Sequence, residues 1–193
     1  MRARIDWTTP SGELSALEPT PDEVIRHAET LAAAYNHPSN APLLGHTEPM
    51  TPDDVIDHYA DIAADGARNF LFFADGAFAG DGDLRHITGS AAEFAFMIAA
   101  VAAQGKGLGT RFATMLHVFG FAGLGLDRIY ASIVPQNVAS RRVFEKLGYA
   151  LDDSAEARGF ADEPGDIVMS ISRQAFERQH AAAVAQIRVT DRP

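Results

Sequence analysis

The chain has 193 residues, of which 47% are hydrophobic and 22% charged, a composition typical of one soluble globular domain of ordinary size. Cysteine is absent, which excludes disulfides, thiolate metal sites and a covalent acyl-cysteine mechanism. The formal net charge of −10 disfavours nucleic acid and anionic membranes as partners and favours a cationic acceptor such as an amine.

Neither a membrane span nor a leader is predicted. The longest apolar stretch, Phe94 to Ala103, is too short to cross a bilayer, and Met1 to Asp6 lacks the apolar core of a signal peptide. The histidines do not show the H-x-H or H-x-x-x-H spacing of metal sites. We therefore expect a cytoplasmic protein with a single domain over residues 1–193 and no metal.

The first third of the chain predicts a short strand and two helices. Met1 to Trp7 alternates apolar and charged side chains, as a strand does. Thr20-Pro21-Asp22-Glu23 and Thr51-Pro52-Asp53-Asp54 each combine a capping threonine, a proline and acids in the first turn, so a helix is expected to begin at each. Between them, His37 to Pro49 is rich in Pro, Asn and Gly and predicts a loop.

Three successive strands are predicted next. Asn69 to Ala74 and Ala77 to Thr88 are joined by the turn signal Asp75-Gly76, and a third strand begins near Ala91. Strands that follow one another without a helix pair antiparallel. The strand, helix, strand order after Ala91 implies a parallel crossover instead.

The segment after this third strand predicts a site for phosphate groups. Glycines lie at Gly105, Gly107 and Gly109, and Thr110 to Gly123 has apolar side chains at helical spacing. Loop glycines allow close approach of the backbone to a ligand, and the free N–H groups of a first helical turn favour an anion. The spacing fits neither a nucleotide P-loop nor a dinucleotide fingerprint.

The last third predicts further strands and a helical tail. Arg128 to Val134, the weaker Ala150 to Asp153 and Asp166 to Ile171 are β-rich runs, and Ala155 to Gly165 is expected to be a loop. The tail, about 174–193, has apolar residues near helical spacing. It is expected either to cover the core or to make the contact of a homodimer.

Two segments resemble motifs of the GNAT N-acetyltransferases. Gln104-x-x-Gly107-x-Gly109 is similar to the Q/R-x-x-G-x-G/A pyrophosphate motif of that family. Asn137 to Tyr149 is similar to its N-x-x-S-x-x-V-x-E-K-L-G-F/Y segment, and its residues suit a helix with an asparagine N-cap and a glycine that ends it. The amino-acid sequence of the second segment most resembles that of the branch that includes ribosomal-protein alanine N-acetyltransferases.

The resemblance covers about Leu14 to Phe176 and implies the family's α+β fold, a mixed, mostly antiparallel sheet of about six to seven strands flanked by helices. It implies acetyl-CoA as co-substrate and direct transfer of the acetyl group to a primary amine within a ternary complex. The amine is either a peptide N-terminus or part of a small molecule.

The resemblance also implies which residues hold the donor. Backbone groups of the third strand would pair with the pantetheine arm, the glycine loop would hold the pyrophosphate, and an asparagine would contact the arm. These residues are Met97, Ile98, Ala99, Gln104, Gly105, Lys106, Gly107, Leu108, Gly109, Thr110 and Asn137.

Two residues are candidates for proton transfer. Glu93 matches a family position for a general base, although a glutamate at a strand start is as often structural. Ser140 either protonates the leaving thiolate, directly or through water, or packs beside the cofactor. Two departures matter: Phe144 replaces a tyrosine that serves many relatives as general acid, and Ser132 replaces a glutamate that serves some as base.

The early helical region is implied to close over the acceptor. Tyr35, His46 and Tyr59 either contact it there or are ordinary packing and surface residues. A peptide acceptor predicts an open groove beside Glu93 between the loops 37–49 and 155–165, whereas a small amine predicts a closed pocket with fixed acids.

Two other interpretations compete with an enzyme of this family. A non-catalytic acyl-CoA-binding module would keep the glycine loop without turnover, and Phe144 favours it. A dinucleotide-binding domain is disfavoured, because its site usually follows the first strand of a βαβ unit rather than three consecutive strands.

Overall fold

The computed structural model describes residues 1–44, 48–99 and 103–192. His46 of the early loop and residues 100–102 of the apolar stretch lie outside the described residues. The strands are β1 (Arg2–Thr9), β2 (Gly12–Leu17), β3 (Arg68–Ala74), β4 (Ala77–Thr88), β5 (Ala91–Ile98), β6 (Arg128–Ile133), β7 (Ala150–Leu151), β8 (Ile167–Ser172) and β9 (Arg188–Arg192). The helices are α1 (Pro21–Tyr35), α2 (Pro52–Ala64), α3 (Leu108–Val118), α4 (Val138–Leu147), α5 (Ala155–Arg158) and α6 (Arg173–Gln186).

All nine strands form one sheet in the order β7-β8-β6-β5-β4-β3-β2-β1-β9. Every neighbouring pair is antiparallel except β5 and β6, which are parallel and joined through α3. The predicted antiparallel trio and the parallel crossover are therefore confirmed, and so is the mixed α+β sheet flanked by helices. The sheet is larger than expected because β2 and β9 were not predicted as strands.

The chain end differs from the predicted helical tail. Helix α6 stops at Gln186, and Arg188–Arg192 pairs antiparallel with β1 at the edge of the sheet. The helix ends there because Ile187 takes an extended conformation, with φ −73° and ψ 130°, and its side chain is buried in the core. The predicted loop 155–165 likewise contains one turn of helix, α5.

The two early helices begin where the sequence predicts. At α1 and α2 the Thr20 and Thr51 side chains accept from the backbone N–H three residues on, and the acid at that position bonds back to the threonine N–H. Each threonine and acid pair satisfies two free backbone donors, which fixes the helix start. Both helices pack on the sheet face that carries Leu71 and Met97.

The opposite face of the sheet holds the main core. Phe72 stacks on Phe112 of α3 with ring centroids 4.5 Å apart. Helix α3 widens into a π-helical turn over Phe119–Gly123, which ends at the predicted Gly123. In the part of the chain that the structure describes, none of the helices combines the length and apolar character needed to cross a membrane.

Strands β5 and β6 separate after a short paired stretch. Their ladder runs from Ala91↔Arg128 only to Glu93↔Tyr130. Beyond that point β5 continues to Ile98 beside β4, and β6 continues to Ile133 beside β8. The divergence leaves a wedge-shaped gap in the middle of the sheet, between the end of β5 and the start of α4.

Candidate active site

The gap opens on two adjoining cavities. The glycine-loop groove, of about 400 Å³, lies between residues 104–110 and the first turns of α4. The acidic cavity, of about 340 Å³, lies between β4, β5 and the acidic loop, defined as residues 162–166. The residues that line both are Leu43, Leu44, Phe96, Met97, Asn137 and Ser140. A molecule held in the groove can therefore meet one held in the cavity.

The glycine loop leaves the start of α3 open. Gly105 and Gly107 have φ of +73° and +78°, a left-handed conformation that strains any residue with a Cβ. Gly107 is the N-cap of α3, and no side chain among the described residues caps the helix there. The first-turn N–H groups of Leu108, Gly109 and Thr110 are thus available to an anion.

Gly109 is needed for a different reason. A Cβ built on it would lie 3.0 Å from the ring of Phe96, so the absence of a side chain lets the first turn of α3 sit against β5. Lys106 is exposed beside this turn and adds a positive charge. Backbone donors, a helix N-terminus and a lysine together suit a phosphate-bearing ligand.

Gln104 faces the strand rather than the groove centre. Its side-chain amide donates to Asn40 Oδ1 at 3.0 Å and to the Ile98 carbonyl at 3.1 Å. Asn40 is buried and donates in turn to the carbonyl of Ala34 at the end of α1. Gln104 therefore ties the glycine loop to the end of β5 and to α1. The sequence does not reveal Asn40, because it reaches Gln104 only through the fold.

The backbone of β5 presents alternate residues to the gap. The Ala99 N–H donates to the Ala79 carbonyl of β4 at 2.9 Å. Because N–H and C=O groups alternate in direction along an antiparallel ladder, those of Met97 also face β4. The polar groups of Phe96 and Ile98 face the gap, where the Ile98 carbonyl accepts from Gln104. Of the three predicted strand residues, the structure brings Ile98 to the gap by its backbone and Met97 by its side chain.

The start of α4 forms the opposite wall. Asn137 accepts from the Ser140 N–H at 2.9 Å, which confirms it as the N-cap, and it donates to the Leu43 carbonyl at 3.3 Å. It thus connects α4 to the 3-10 turn Ala41–Leu43. The Ser140 side chain is half-buried and lines both cavities, and no described residue bonds its hydroxyl.

Phe144 belongs to the core, as expected for a residue that cannot donate a proton. It is 2% exposed and makes edge contacts with other aromatic rings of the wedge. Each of the four tyrosines has its hydroxyl elsewhere: Tyr35 and Tyr59 donate to Asp81, Tyr149 bonds His117, and Tyr130 bonds Glu156. No tyrosine therefore takes the place of the one that Phe144 replaces.

The acidic cavity is built on one face of β4. Asp81, Asp83 and Arg85 alternate along the strand and so point to the same side. Their register partners on β5 are Met97, Ala95 and Glu93. Burial raises the pKa of Asp81 to about 6 despite the two tyrosine hydroxyls, and burial raises that of Asp83 to about 7 despite the nearby guanidinium of Arg85.

Glu93 lies behind Arg85 rather than on the cavity wall. It is 1% exposed, and its carboxylate contacts Arg85 at 3.1 Å and His86 at 2.9 Å. Burial raises the pKa of Glu93, while the Arg85 charge opposes the rise. Its predicted role as base stays a prediction, and from this position Glu93 has no direct contact with the cavity, from which Arg85 separates it.

One cluster has the residue types of a metal site. The ligand atoms of His86, Glu93 and Asp162 lie within 4.8 Å of one another. However, Arg85 donates to Glu93 and to Asp162 at 3.1 Å each, so both carboxylates are already paired with a guanidinium. The cluster is better described as an ion-pair network than as a place for a cation.

The acidic loop is fastened to β6. Ser132 donates to Asp166 Oδ2 at 2.8 Å and accepts from the Asp162 N–H at 3.0 Å. The residue found where some relatives carry a glutamate therefore holds the loop that forms one side of the cavity. The loop brings three carboxylates to the cavity, from Asp162, Glu163 and Asp166.

Sequence reasoning missed Asp81, Asp83 and Arg85. The sequence does indicate a charged strand face. In the run D-G-D-L-R, every second residue is charged and the residues between them are small or apolar. Three charges on one strand face are unusual where that face is covered by helices. What the pattern does not show is that the acidic loop, far along the chain, comes to lie beside them.

Comparison with known proteins agrees with this geometry. A family model described as an acetyltransferase (GNAT) domain matches residues 19–150. RimJ of Mycobacterium smegmatis in complex with CoA-disulfide superposes with a TM-score of 0.74 at 16% identity, covering 95% of each chain. Aminoglycoside acetyltransferase AAC(6')-Ib in complex with coenzyme A gives 0.73 at 20% identity, covering 86% of this chain and 99% of that one.

A third structure, the ribosomal-protein-S5-alanine acetyltransferase from Vibrio fischeri, gives a TM-score of 0.68 at 18% identity, covering 89% of this chain and 98% of that one. At these identities the likeness establishes the fold. A sequence comparison with curated proteins gave no match.

Proposed function

Because the chain belongs to the GNAT acetyltransferase family, we propose that it transfers an acetyl group from acetyl-CoA to a primary amine, by direct transfer within a ternary complex. The observation that carries the proposal is the continuity of the two cavities across Phe96, Asn137 and Ser140. One cavity has the features of an anion-binding donor site, and the other carries the charge expected around an amine.

The groove fits the donor. The open first turn of α3 and Lys106 suit the pyrophosphate, and the gap-facing backbone groups of Phe96 and Ile98 suit an extended amide-bearing arm, which would add to the strand edge. Arg142 and Lys146 on α4 line the same groove and add positive charge. We therefore propose that this groove holds the donor, with Gln104 fixing its shape, whereas the backbone groups of Met97 and Ala99 face β4 and stand outside the predicted contact.

The proposed reaction forms one bond at the acetyl carbon and breaks another. The neutral amine nitrogen forms a bond to the acetyl carbon while the carbon–sulfur bond breaks, which leaves a thiolate and a protonated amide nitrogen. The nitrogen loses one proton to a base, and the thiolate gains one from Ser140 or water. A backbone N–H facing the gap polarises the carbonyl. For the base we propose Glu93, acting through ordered water, with Asp83 on the cavity wall as the competing candidate.

The similar structures support an amine acceptor in general. AAC(6')-Ib is described in complex with ribostamycin and coenzyme A, and with coenzyme A and kanamycin. The Vibrio fischeri enzyme is named for an alanine of a ribosomal protein. Both kinds of acceptor present a primary amine, and this chain offers a cavity with fixed acids to receive one. We also propose a cytoplasmic location, where acetyl-CoA is made.

A non-catalytic acyl-CoA-binding module is the second candidate, and the observation in its favour is the buried Phe144 in place of a tyrosine acid. Loss of that acid does not abolish transfer in principle, because a thiol is a good leaving group whose pKa is only moderately above neutral.

Isothermal titration with acetyl-CoA, NADH and ATP tests the donor site. We expect binding of acetyl-CoA and a loss of at least about tenfold in Gly107→Glu, since a side chain and a negative charge then face the phosphate position. Gly66→Glu is the matched control, because Gly66 also has positive φ but is exposed after α2. Release of free CoA with an amine panel then separates an enzyme from a binding module. Failure to bind acetyl-CoA would overturn the proposal.

A further inference from the structure

The carboxylates of the acidic cavity differ in how far they are satisfied. Asp81 accepts from two tyrosine hydroxyls, and Asp166 accepts from Ser132. Asp162 is paired with Arg85. Each of these groups therefore has a protein partner.

The carboxylates of Asp83 and Glu163 are less fully satisfied, and that of Asp83 is the less exposed of the two. Asp83 Oδ1 is buried without a hydrogen-bond partner in the described ranges, and the nearest cation, Arg85 Nε, lies 3.8 Å away, beyond a hydrogen bond. The register partner of Asp83 is Ala95, whose methyl group reaches little of the space above the strand pair. A buried carboxylate oxygen without a donor is costly, and because Oδ1 itself is covered by protein, a cation in the cavity would compensate the charge of the carboxylate as a whole rather than bond Oδ1.

The cavity also has more negative charge than one cation can balance. Among the described residues, five carboxylates line it, from Asp81, Asp83, Asp162, Glu163 and Asp166, against one guanidinium, that of Arg85, and the imidazole of His58. That guanidinium is divided among Asp83, Glu93 and Asp162. Glu163 is exposed at the rim, and its carboxylate has no hydrogen bond or ion pair with a described residue.

The carboxylates form two groups. Asp83 lies on β4, beside the residues of β5 that line both the acidic cavity and the glycine-loop groove. The acidic loop lies on the other side of Arg85. An amine bound at Asp83 is placed for transfer, and a second ammonium on the same molecule meets the acidic loop. Long-range attraction to such a cavity also speeds the capture of a multiply charged cation.

Resting on the proposed function, we infer that the acceptor is a small polycationic amine with at least two ammonium groups, one bound by Asp83 and another by the carboxylates of Asp162 and Glu163. This choice favours a small polyamine over the N-terminus of a peptide without basic residues, which supplies one cation and leaves the acidic loop unpaired.

Rates of CoA release at saturating acetyl-CoA test the inference. The acceptors are spermidine, kanamycin, n-butylamine and a short peptide with an N-terminal alanine and no basic residue. We expect kcat/KM for at least one polycation to exceed the values for n-butylamine and the peptide by about tenfold or more, the effect of one added charge-assisted hydrogen bond. Raising the salt concentration should increase KM for the polycation far more than for n-butylamine.

Variants locate the effect. Glu163→Gln, alone and combined with Asp162→Asn, should raise KM for the polycation by a larger factor than KM for n-butylamine. The matched control is Glu177→Gln with Asp153→Asn, which removes the same formal charge from exposed positions outside the cavity. The single variant keeps the loop intact, since the Glu163 carboxylate bonds no described residue and the bond from the Asp166 N–H to the Glu163 carbonyl is made by the backbone.

The outcomes distinguish the two proposals. If n-butylamine or the peptide is as good an acceptor as both polycations, or if the control double variant has the same effect as the loop variants, the inference is wrong and the acetyltransferase proposal stands. If none of the four amines releases CoA above the rate of hydrolysis, both proposals are overturned.

Discussion

Arg85 and Glu93 lie directly opposite each other on β4 and β5, and their side chains form an ion pair with a distance of 3.1 Å between Arg85 Nη2 and Glu93 Oε1. The pair places the predicted base in the interior of the sheet and turns the guanidinium towards Asp162 and the cavity. Arg85 is therefore the link between the residue that the sequence suggests and the carboxylates that the fold adds.

Substitution of Glu93 tests its role in the reaction. In Glu93→Gln we expect acetyl-CoA binding to survive, kcat to fall by about 10²-fold at neutral pH, and part of the loss to be recovered in alkali, where more of the amine is already neutral. The measurement is the pH dependence of CoA release, with Glu177→Gln as control. A variant with an unchanged profile would assign Glu93 to structure alone.

Ser140 is tested together with Phe144, which lies one helical turn further along α4 and also lines the acidic cavity. Ser140→Ala should lower kcat by about tenfold or more at unchanged acetyl-CoA affinity if its hydroxyl protonates the thiolate. Adding Phe144→Tyr should restore part of the rate, because a phenol then stands at the position used by many relatives. Wild-type kcat in Ser140→Ala would show that water serves as the acid.

Asp83→Asn should make the protein more stable at alkaline pH. The pKa of Asp83 is raised to about 7 by burial, whereas an unfolded aspartate titrates near its ordinary value. The folded state thus binds more protons between about pH 4 and pH 7, and stability falls as pH rises through that window. We expect the variant to gain about 1–3 kcal/mol in free energy of unfolding at pH 8 and little at pH 4.

Denaturant unfolding at both pH values measures this difference, with exposed Asp153→Asn as the reference. The same variant should have a lower kcat/KM for the acceptor if Asp83 binds it. Equal stability of variant and wild type at pH 8 would mean that burying the charged Asp83 carboxylate does not destabilise the free protein.

We expect the buried side chain of His117 to make the folded protein less stable in acid. It is fully buried in α3, its Nδ1 donates to the Ala113 carbonyl, and its Nε2 accepts from the Tyr149 hydroxyl at 2.5 Å. Burial lowers its pKa to about 3. The unfolded state therefore binds an extra proton as pH falls from about 6.5 towards 3, and stability drops over that range.

Unfolding free energies measured from pH 7 to pH 4 should show a shallower slope in His117→Phe than in wild type. Exposed His37→Gln should keep the wild-type slope. At pH 8, Tyr149→Phe should cost about 1–3 kcal/mol, because it leaves the buried Nε2 of His117 without a donor. A parallel pH slope in His117→Phe and wild type would contradict the assignment.

Local sequence signals predicted much of the fold. The capped starts of α1 and α2, the glycine loop, and the start of α4 depend on residues within one or two turns of each other, so their physical causes are visible in the sequence. The edge strand β9 was missed because its pairing with β1 joins the two ends of the chain. A strand of five largely exposed residues carries no periodic signal of its own.

The sequence by itself determined the family, the glycine loop and the cap of α4, since each rests on adjacent residues whose backbone geometry is locally fixed. Only the tertiary structure decided the acidic cavity. The cavity combines Asp83 and Arg85 of β4 with Asp162 of a distant loop. Their charges interact strongly only when the fold removes water and brings them within ion-pair distance. The fold, which no local pattern specifies, also buries Glu93 behind Arg85. It leaves Asp83 Oδ1 buried without a hydrogen-bond donor among the described residues.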